Sequence, residues 1–206
     1  MRRWLLLGGA AAGVALALGM PRGAAAADAD GGADADEDTQ SDMAFAVPAS
    51  EAVLIERFSI YGRSLATMEV PRIIRSDEQW RVRLSSQAYA VTRQGRDEAA
   101  FSGRYLHNRA VGMYRCVCCG TALFDSRSQF DRGAGWLNFH APVSRYNLVE
   151  SLEDEADAQG EVHHLAVSCR RCDAHLGAVF DDGPAPTRLR YRIDSVALSF
   201  VPYPPY

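Results

Sequence analysis

Two C-x-x-C pairs set the terms on which this chain can fold. Cys116 and Cys119 lie in RCVCCG, Cys169 and Cys172 in SCRRCD. Each pair is a tight knuckle that presents two thiolates, and two knuckles meeting in space supply the four ligands of tetrahedral zinc. Disulfides are the alternative in an oxidising compartment. A C-x-x-C bridged to itself is usually a redox motif, however, and doubling it for structure is uncommon, so zinc is the reading adopted. The fifth cysteine, Cys118, falls inside the first knuckle. It reads as a side chain turned away from the metal or, more sharply, as a reactive thiol beside it.

The segments that carry the knuckles have the texture of strands. GMYRCVCCGTALF, LAVSCRRCDAHLGAVF and LRYRIDSVALSFVP are short, rich in β-branched and aromatic residues, and broken by Gly, Asp and Pro. They predict an antiparallel β-domain with tight turns, and the polar SLEDEADAQGEV between two of them predicts a loop or hairpin tip. Ahead of this region, SDEQWRVRL offers Ser76 as N-cap with Gln79 three residues on, and Asp77 and Glu78 in the first turn. A short helix is predicted from Asp77 to about Leu84, and SSQAYAVTR predicts a second helical turn ending before Gly95. Residues 50–70 show no clear period; VLIERFSIY fits a strand or an irregular helix equally.

The N-terminus reads differently. Arg2 and Arg3 precede an apolar run from Trp4 to Met20 and then small residues around Ala24–Ala27. That is the build of a secretory signal over residues 1–27, with an uncleaved anchor as the lesser alternative because the run is short for a bilayer of about 30 Å. Export by the general route, or by the twin-arginine route that the Arg pair suggests, is expected, to the periplasm or outside the cell. From Asp28 to about Ala49 the acidic ADADGGADADEDTQSD lacks the apolar content to order itself and reads as a solvated tether. The domain proper is assigned to residues 70–206, with 28–69 as linker and lead-in. All 22 basic residues are Arg, the formal charge is −4, and much of that lies in the tether. The folded part is therefore near neutral, which argues against a nucleic-acid partner. No membrane span is expected once the signal is removed.

From about Pro71 to Pro202 the chain resembles the methionine-(R)-sulfoxide reductase B family. The matching text is EQWRVRLSSQAYAVTR, AFSG (Ala100–Gly103), GMYRCVCCGTALF, QFDRGAGWLNFHAP, CRRCDAHLGAVFDDGP and PTRLRYRIDSVALSF. The resemblance implies a mainly β fold of two antiparallel sheets leaning together like a tent, small N-terminal helices, and a structural zinc on Cys116, Cys119, Cys169 and Cys172. It also implies a chemistry. A cysteine thiolate attacks the sulfoxide sulfur of an oxidised methionine, the oxygen leaves with proton help, and the cysteine becomes a sulfenic acid. A second cysteine then closes a disulfide that a thioredoxin-like partner reduces.

Position by position, the family's substrate cage is kept as Trp136, the Arg two residues before the nucleophile as Arg190, and the first His of its A-H-L-G-H as His175. The nucleophile itself is Arg192. The resolving cysteine is Ala134, the second His is Ala178, the Asn after the nucleophile is Asp194, and the residue after Trp136 is Leu137 rather than Pro. Residues two apart on a strand share a face, so Arg190, Arg192 and Asp194 are expected to point together into the old pocket. There Arg192 is expected to pair with Asp194, in the volume freed by Ala178.

A guanidinium stays protonated and is no nucleophile. The expectation is therefore a zinc-stapled, non-catalytic relative of the family that binds an oxidised methionine or an anion in a pocket of Trp136, His175, Arg190, Arg192 and Asp194. No thioredoxin-type reductant is then needed. Two alternatives stay open: an active peptide-methionine (R)-S-oxide reductase using Cys118, and a second acid/base or metal site around His175 and Asp194. His140, His163 and His164 are weaker candidates for that site. Adjacent His163 and His164 on a strand face opposite sides, so at most one of them joins it.

Overall fold

The computed structural model describes residues 51–152 and 164–205. The signal over 1–27, the acidic tether as far as Ala49, and His163 lie outside the described residues.

The chain enters as an antiparallel hairpin of β1 (Ala52–Phe58) and β2 (Ser64–Pro71). This is the stretch whose pattern decided nothing, and the reason is visible: Ile55 is its one fully buried residue, so there is no alternation to read. Helix α1 spans Asp77–Arg83. Its capping box is formed as predicted, with Ser76 Oγ accepting from the Gln79 N–H and Gln79 Oε1 accepting from the Ser76 N–H. Helix α2 spans Ser86–Gln94, longer than the single turn expected. Ser85 caps its start, and Gly95 ends it in the left-handed conformation (φ 66°).

Nine further strands build two antiparallel sheets. Strands β3 (Gly112–Cys116), β4 (Ala122–Asp125) and β11 (Leu198–Pro202) form one, in the order β11-β3-β4. The other has the order β5-β6-β10-β9-β8-β7, built from β5 (Gln129–Phe130), β6 (Leu137–Phe139), β7 (Leu148–Leu152), β8 (Leu165–Cys169), β9 (His175–Phe180) and β10 (Arg190–Ile193). The fold is thus mainly β with antiparallel sheets and two short helices, as the resemblance implied.

An aromatic seam ties the two sheets together. Phe124 of β4 stacks on Phe139 of β6 with centroids 4.4 Å apart, and Tyr114 of β3 meets the Phe139 edge at 5.2 Å. All three are fully buried, and burial of each such ring stabilises the fold by about 1.5–3 kcal/mol. One face of the large sheet belongs to this core: Leu137, Phe139, Val179, Tyr191 and Ile193. Because side chains alternate, the intervening residues Asn138, Ala178, Phe180, Arg190 and Arg192 share the opposite face. That face carries the candidate site.

Candidate functional site

The cysteine cluster lies where the ends of β3 and β8 meet. Each knuckle turns through a residue with positive φ, Gly120 (75°) after the first pair and Asp173 (52°) after the second. The turns are closed by Gly120 N–H to Cys116 O (2.8 Å) and Asp173 N–H to Cys169 O (2.8 Å). Arg93 of α2 anchors the second knuckle, donating to the carbonyls of Cys172 (2.8 Å) and Asp173 (2.9 Å). The sulfurs of Cys116 and Cys172 are 3.7 Å apart, and those of Cys119 and Cys169 3.5 Å. A tetrahedral ion with bonds of about 2.3 Å sets its sulfurs roughly 3.8 Å apart. The four cysteines therefore fit a structural metal, and zinc suits an all-thiolate set.

Arg192 lies directly opposite Ala178 on β9 and Asn138 on β6. With so small a neighbour at 178 its guanidinium lies over the Trp136 ring, 5.1 Å from the centroid, and 5.9 Å from that of Phe180. It does not pair with Asp194, which corrects the sequence expectation. Its partner is Asp97, just past α2, whose two carboxylate oxygens accept from Nη2 at 2.9 and 3.1 Å. The physical reason is that β10 stops at Ile193. Asp194 starts a single 3-10 turn (Ser195–Ala197), where its Oδ1 accepts the Glu98 N–H (3.1 Å). Arg190 is paired with Asp182 through Nε (2.7 Å) and Nη2 (3.1 Å) while lying over Phe180 at 4.1 Å. So Arg190 and Arg192 do share the face, and Asp194 reaches it from the strand end.

Glu98 binds this corner together. Its buried carboxylate accepts the N–H groups of Ser195 (2.8 Å) and Val196 (3.0 Å), and its carbonyl accepts Trp136 Nε1–H (3.2 Å). Asp194 is 2% exposed, and its Oδ2 has no hydrogen-bond partner among the described residues. Burial pushes its carboxyl up to about 7, aided by the charges of Asp97 and Glu98 and opposed by the Glu98 N–H and by Arg192. Oxygens of Asp97 and Asp194 and a ring nitrogen of His175 all lie within 4.8 Å of one another.

Sequence reasoning missed Asp97, Glu98, Phe180 and Asp182. The available signals were the acidic pair directly ahead of AFSG and the FDD run after the A-H-L-G segment. Of the weaker candidates, His164 stacks on Phe180 (centroids 5.0 Å apart), whereas the His140 carbonyl accepts from Thr187 and its Nδ1 is buried with no hydrogen-bond partner among the described residues. The groups around the Cys118 sulfur are Cys116, Cys172 and Thr92, with Arg93 nearby. None of these belongs to the Trp136 face.

Residues 84–202 match the SelR domain. The chain is 45% identical over 125 residues to the peptide methionine sulfoxide reductase MsrB of Pseudomonas aeruginosa (strain PAO1), covering 61% of this chain and 92% of that protein. It is 47% identical over 125 residues to the protein of the same name from Thioalkalivibrio sulfidiphilus, covering 61% of this chain and 88% of that one. Against the mitochondrial methionine-R-sulfoxide reductase B3 of Mus musculus the identity is 44% over 131 residues, 64% of this chain and 50% of the mouse protein. The chain belongs to the methionine-R-sulfoxide reductase B family. Over Trp136 and Phe180, β10 presents the guanidinium of Arg192, and Asp97, His175 and Asp194 converge beside it.

Proposed function

We propose that this chain is a non-catalytic member of the methionine-R-sulfoxide reductase B family, a zinc-stapled domain that binds rather than reduces. The observation that carries the reading is the guanidinium of Arg192, held by Asp97 at 2.9 Å and laid over Trp136 at 5.1 Å, in the place where the family's attacking sulfur belongs. Reduction of a sulfoxide needs a group that bonds to sulfur and takes up its oxygen, and a permanently protonated guanidinium does neither. Loss of a nucleophile costs about a millionfold in enzymes where it has been removed. Cys118 is no replacement, because its neighbours are knuckle cysteines and Thr92. A cation over an indole suits a ligand with an apolar end and a negative or strongly dipolar oxygen, as a methionine sulfoxide or a carboxylate has. The leader-like Arg2–Ala27 supports export of the domain, and the knuckle sulfur spacing supports zinc.

The test is an assay of the zinc-loaded chain with a methionine-R-sulfoxide peptide and dithiothreitol, beside Arg192→Cys. The wild type is expected to show no turnover above the thiol-only background, and Arg192→Cys is expected to gain activity. Turnover by the wild type that Cys118→Ser abolishes overturns the proposal. Silence from both proteins leaves recognition of sulfoxide to be read by binding measurements, with a methionine-R-sulfoxide peptide and with carboxylate anions side by side.

A further inference from the structure

Outside the cysteine cluster, Asp97, His175 and Asp194 converge at one corner of the Trp136 face. They arrive from three parts of the chain: the segment after α2, the first residue of β9, and the residue that follows β10. One donor atom from each lies within 4.8 Å of the others. Acidic residues gather on many surfaces without holding anything, but here a second observation points inward. Asp194 is 98% buried, and its Oδ2 has no hydrogen-bond partner among the described residues. A buried carboxylate oxygen left unpartnered is costly in an otherwise well-satisfied interior. Its other oxygen is already committed to the Glu98 N–H, and Arg192 is committed to Asp97.

We infer that Asp97, His175 and Asp194 form a second metal site, taking one first-row divalent cation of the Mn(II), Fe(II) or Zn(II) kind. Two carboxylates and one imidazole are a hard-to-borderline donor set. It is unsuited to the soft ions that thiolates select, and its nitrogen makes it a poorer match for Mg(II). Three protein ligands leave the remaining positions open to water or to an oxygen of a bound ligand. Metal–ligand bonds of about 2.0–2.2 Å place donors roughly 3–4 Å apart, so closing the set from 4.8 Å takes only small side-chain rotations. Asp97, whose side chain is 49% exposed, is the arm able to make them.

Arg192 competes with the ion. It holds both Asp97 oxygens through Nη2, so an ion bound there shares the carboxylate with a guanidinium. A carboxylate has about four lone-pair sites and can serve both cations, at the expense of their mutual repulsion. The inference stands independently of the chain's activity towards sulfoxides, since it concerns occupancy alone.

The experiment is a Mn(II) titration of the full chain with zinc already on its cysteines, counting free Mn(II) by electron paramagnetic resonance. One Mn(II) per chain is expected beyond the zinc. Binding is expected to weaken at least tenfold in Asp194→Asn, His175→Gln and Asp97→Asn, and to tighten severalfold in Arg192→Gln. Asp97→Asn alters a half-exposed side chain and decides the question if the buried Asp194 variant does not fold. Absence of binding by the wild type overturns the inference. So does Mn(II) binding that is unchanged in Asp97→Asn, because such ions sit on the acidic N-terminal segment or elsewhere. Neither outcome decides the sulfoxide assay, which reads turnover of the peptide and not occupancy by a metal.

Discussion

Truncation of Glu98 to alanine should cost this domain more than any other single change of a polar residue at the site. Glu98 is 4% exposed, and its oxygens receive the Ser195 and Val196 N–H groups at 2.8 and 3.0 Å. Hydrogen bonds to a charged group contribute about 1.5–3 kcal/mol each, so the gross loss is about 3–6 kcal/mol. An opposing contribution is visible in the site: burial raises the Glu98 pKa despite those two amides, which means that the ion is incompletely compensated. Relief of that penalty should return part of the loss, leaving a net destabilisation of about 2–4 kcal/mol. For a domain of this size that is a fall in Tm of roughly 5–15 °C. Glu98→Gln keeps one acceptor and should lose about half as much. The measurement is urea or thermal denaturation of the zinc-loaded proteins, followed by circular dichroism at fixed pH. A loss below about 0.5 kcal/mol for the alanine variant, the range of ordinary surface changes, would refute the account of Glu98 as the clamp of this corner.

Two further outcomes are expected. Cys169→Ser removes a fully buried sulfur of the four-cysteine cluster; it should abolish stoichiometric zinc and the cooperative thermal transition, whereas Cys118→Ser should keep both, as metal analysis and calorimetry would show. Asp182 is held below the usual carboxylate range chiefly by its hydrogen bonds to Arg190. A lowered folded pKa adds stability that is present above the unfolded value of about 4 and is lost as pH falls through the folded one. Asp182→Asn should therefore be less stable than wild type near pH 6 and indistinguishable from it at the acid end of a denaturation series; a difference constant with pH counts against the pairing.

The sequence was most legible where chemistry is local. Ser76 and Gln79 are three residues apart and specify the start of α1 by themselves, and each C-x-x-C specifies its own knuckle. The hairpin β1–β2 was illegible because its strands bury little, so nothing in their pattern separates strand from helix. At the site, the pairing of Arg192 with Asp97 spans 95 residues, and the competing partner at Asp194 was nearer in sequence and chemically just as suitable. What decided between them was that β10 ends at Ile193, a boundary set by the turn that Glu98 caps. The rule that residues two apart share a face brought Arg190, Arg192 and Asp194 to one side, but not the pairing of Arg192 with Asp194, because the strand stops at Ile193.

Strand β10 is gripped along both edges, by β6 and by β9, and Gly177 passes so close that a Cβ there would lie 2.1 Å from the Arg192 carbonyl oxygen. The backbone at 192 is therefore fixed by its neighbours and owes nothing to its own side chain. Whatever stands there is delivered to the same spot above Trp136, as a tool is delivered by a chuck. Sulfur, guanidinium or amide could be exchanged at that point without renegotiating the architecture, so the backbone frame at 192 is separable from the chemistry hung on it, which also draws on what stands at Ala134, Ala178 and Asp194.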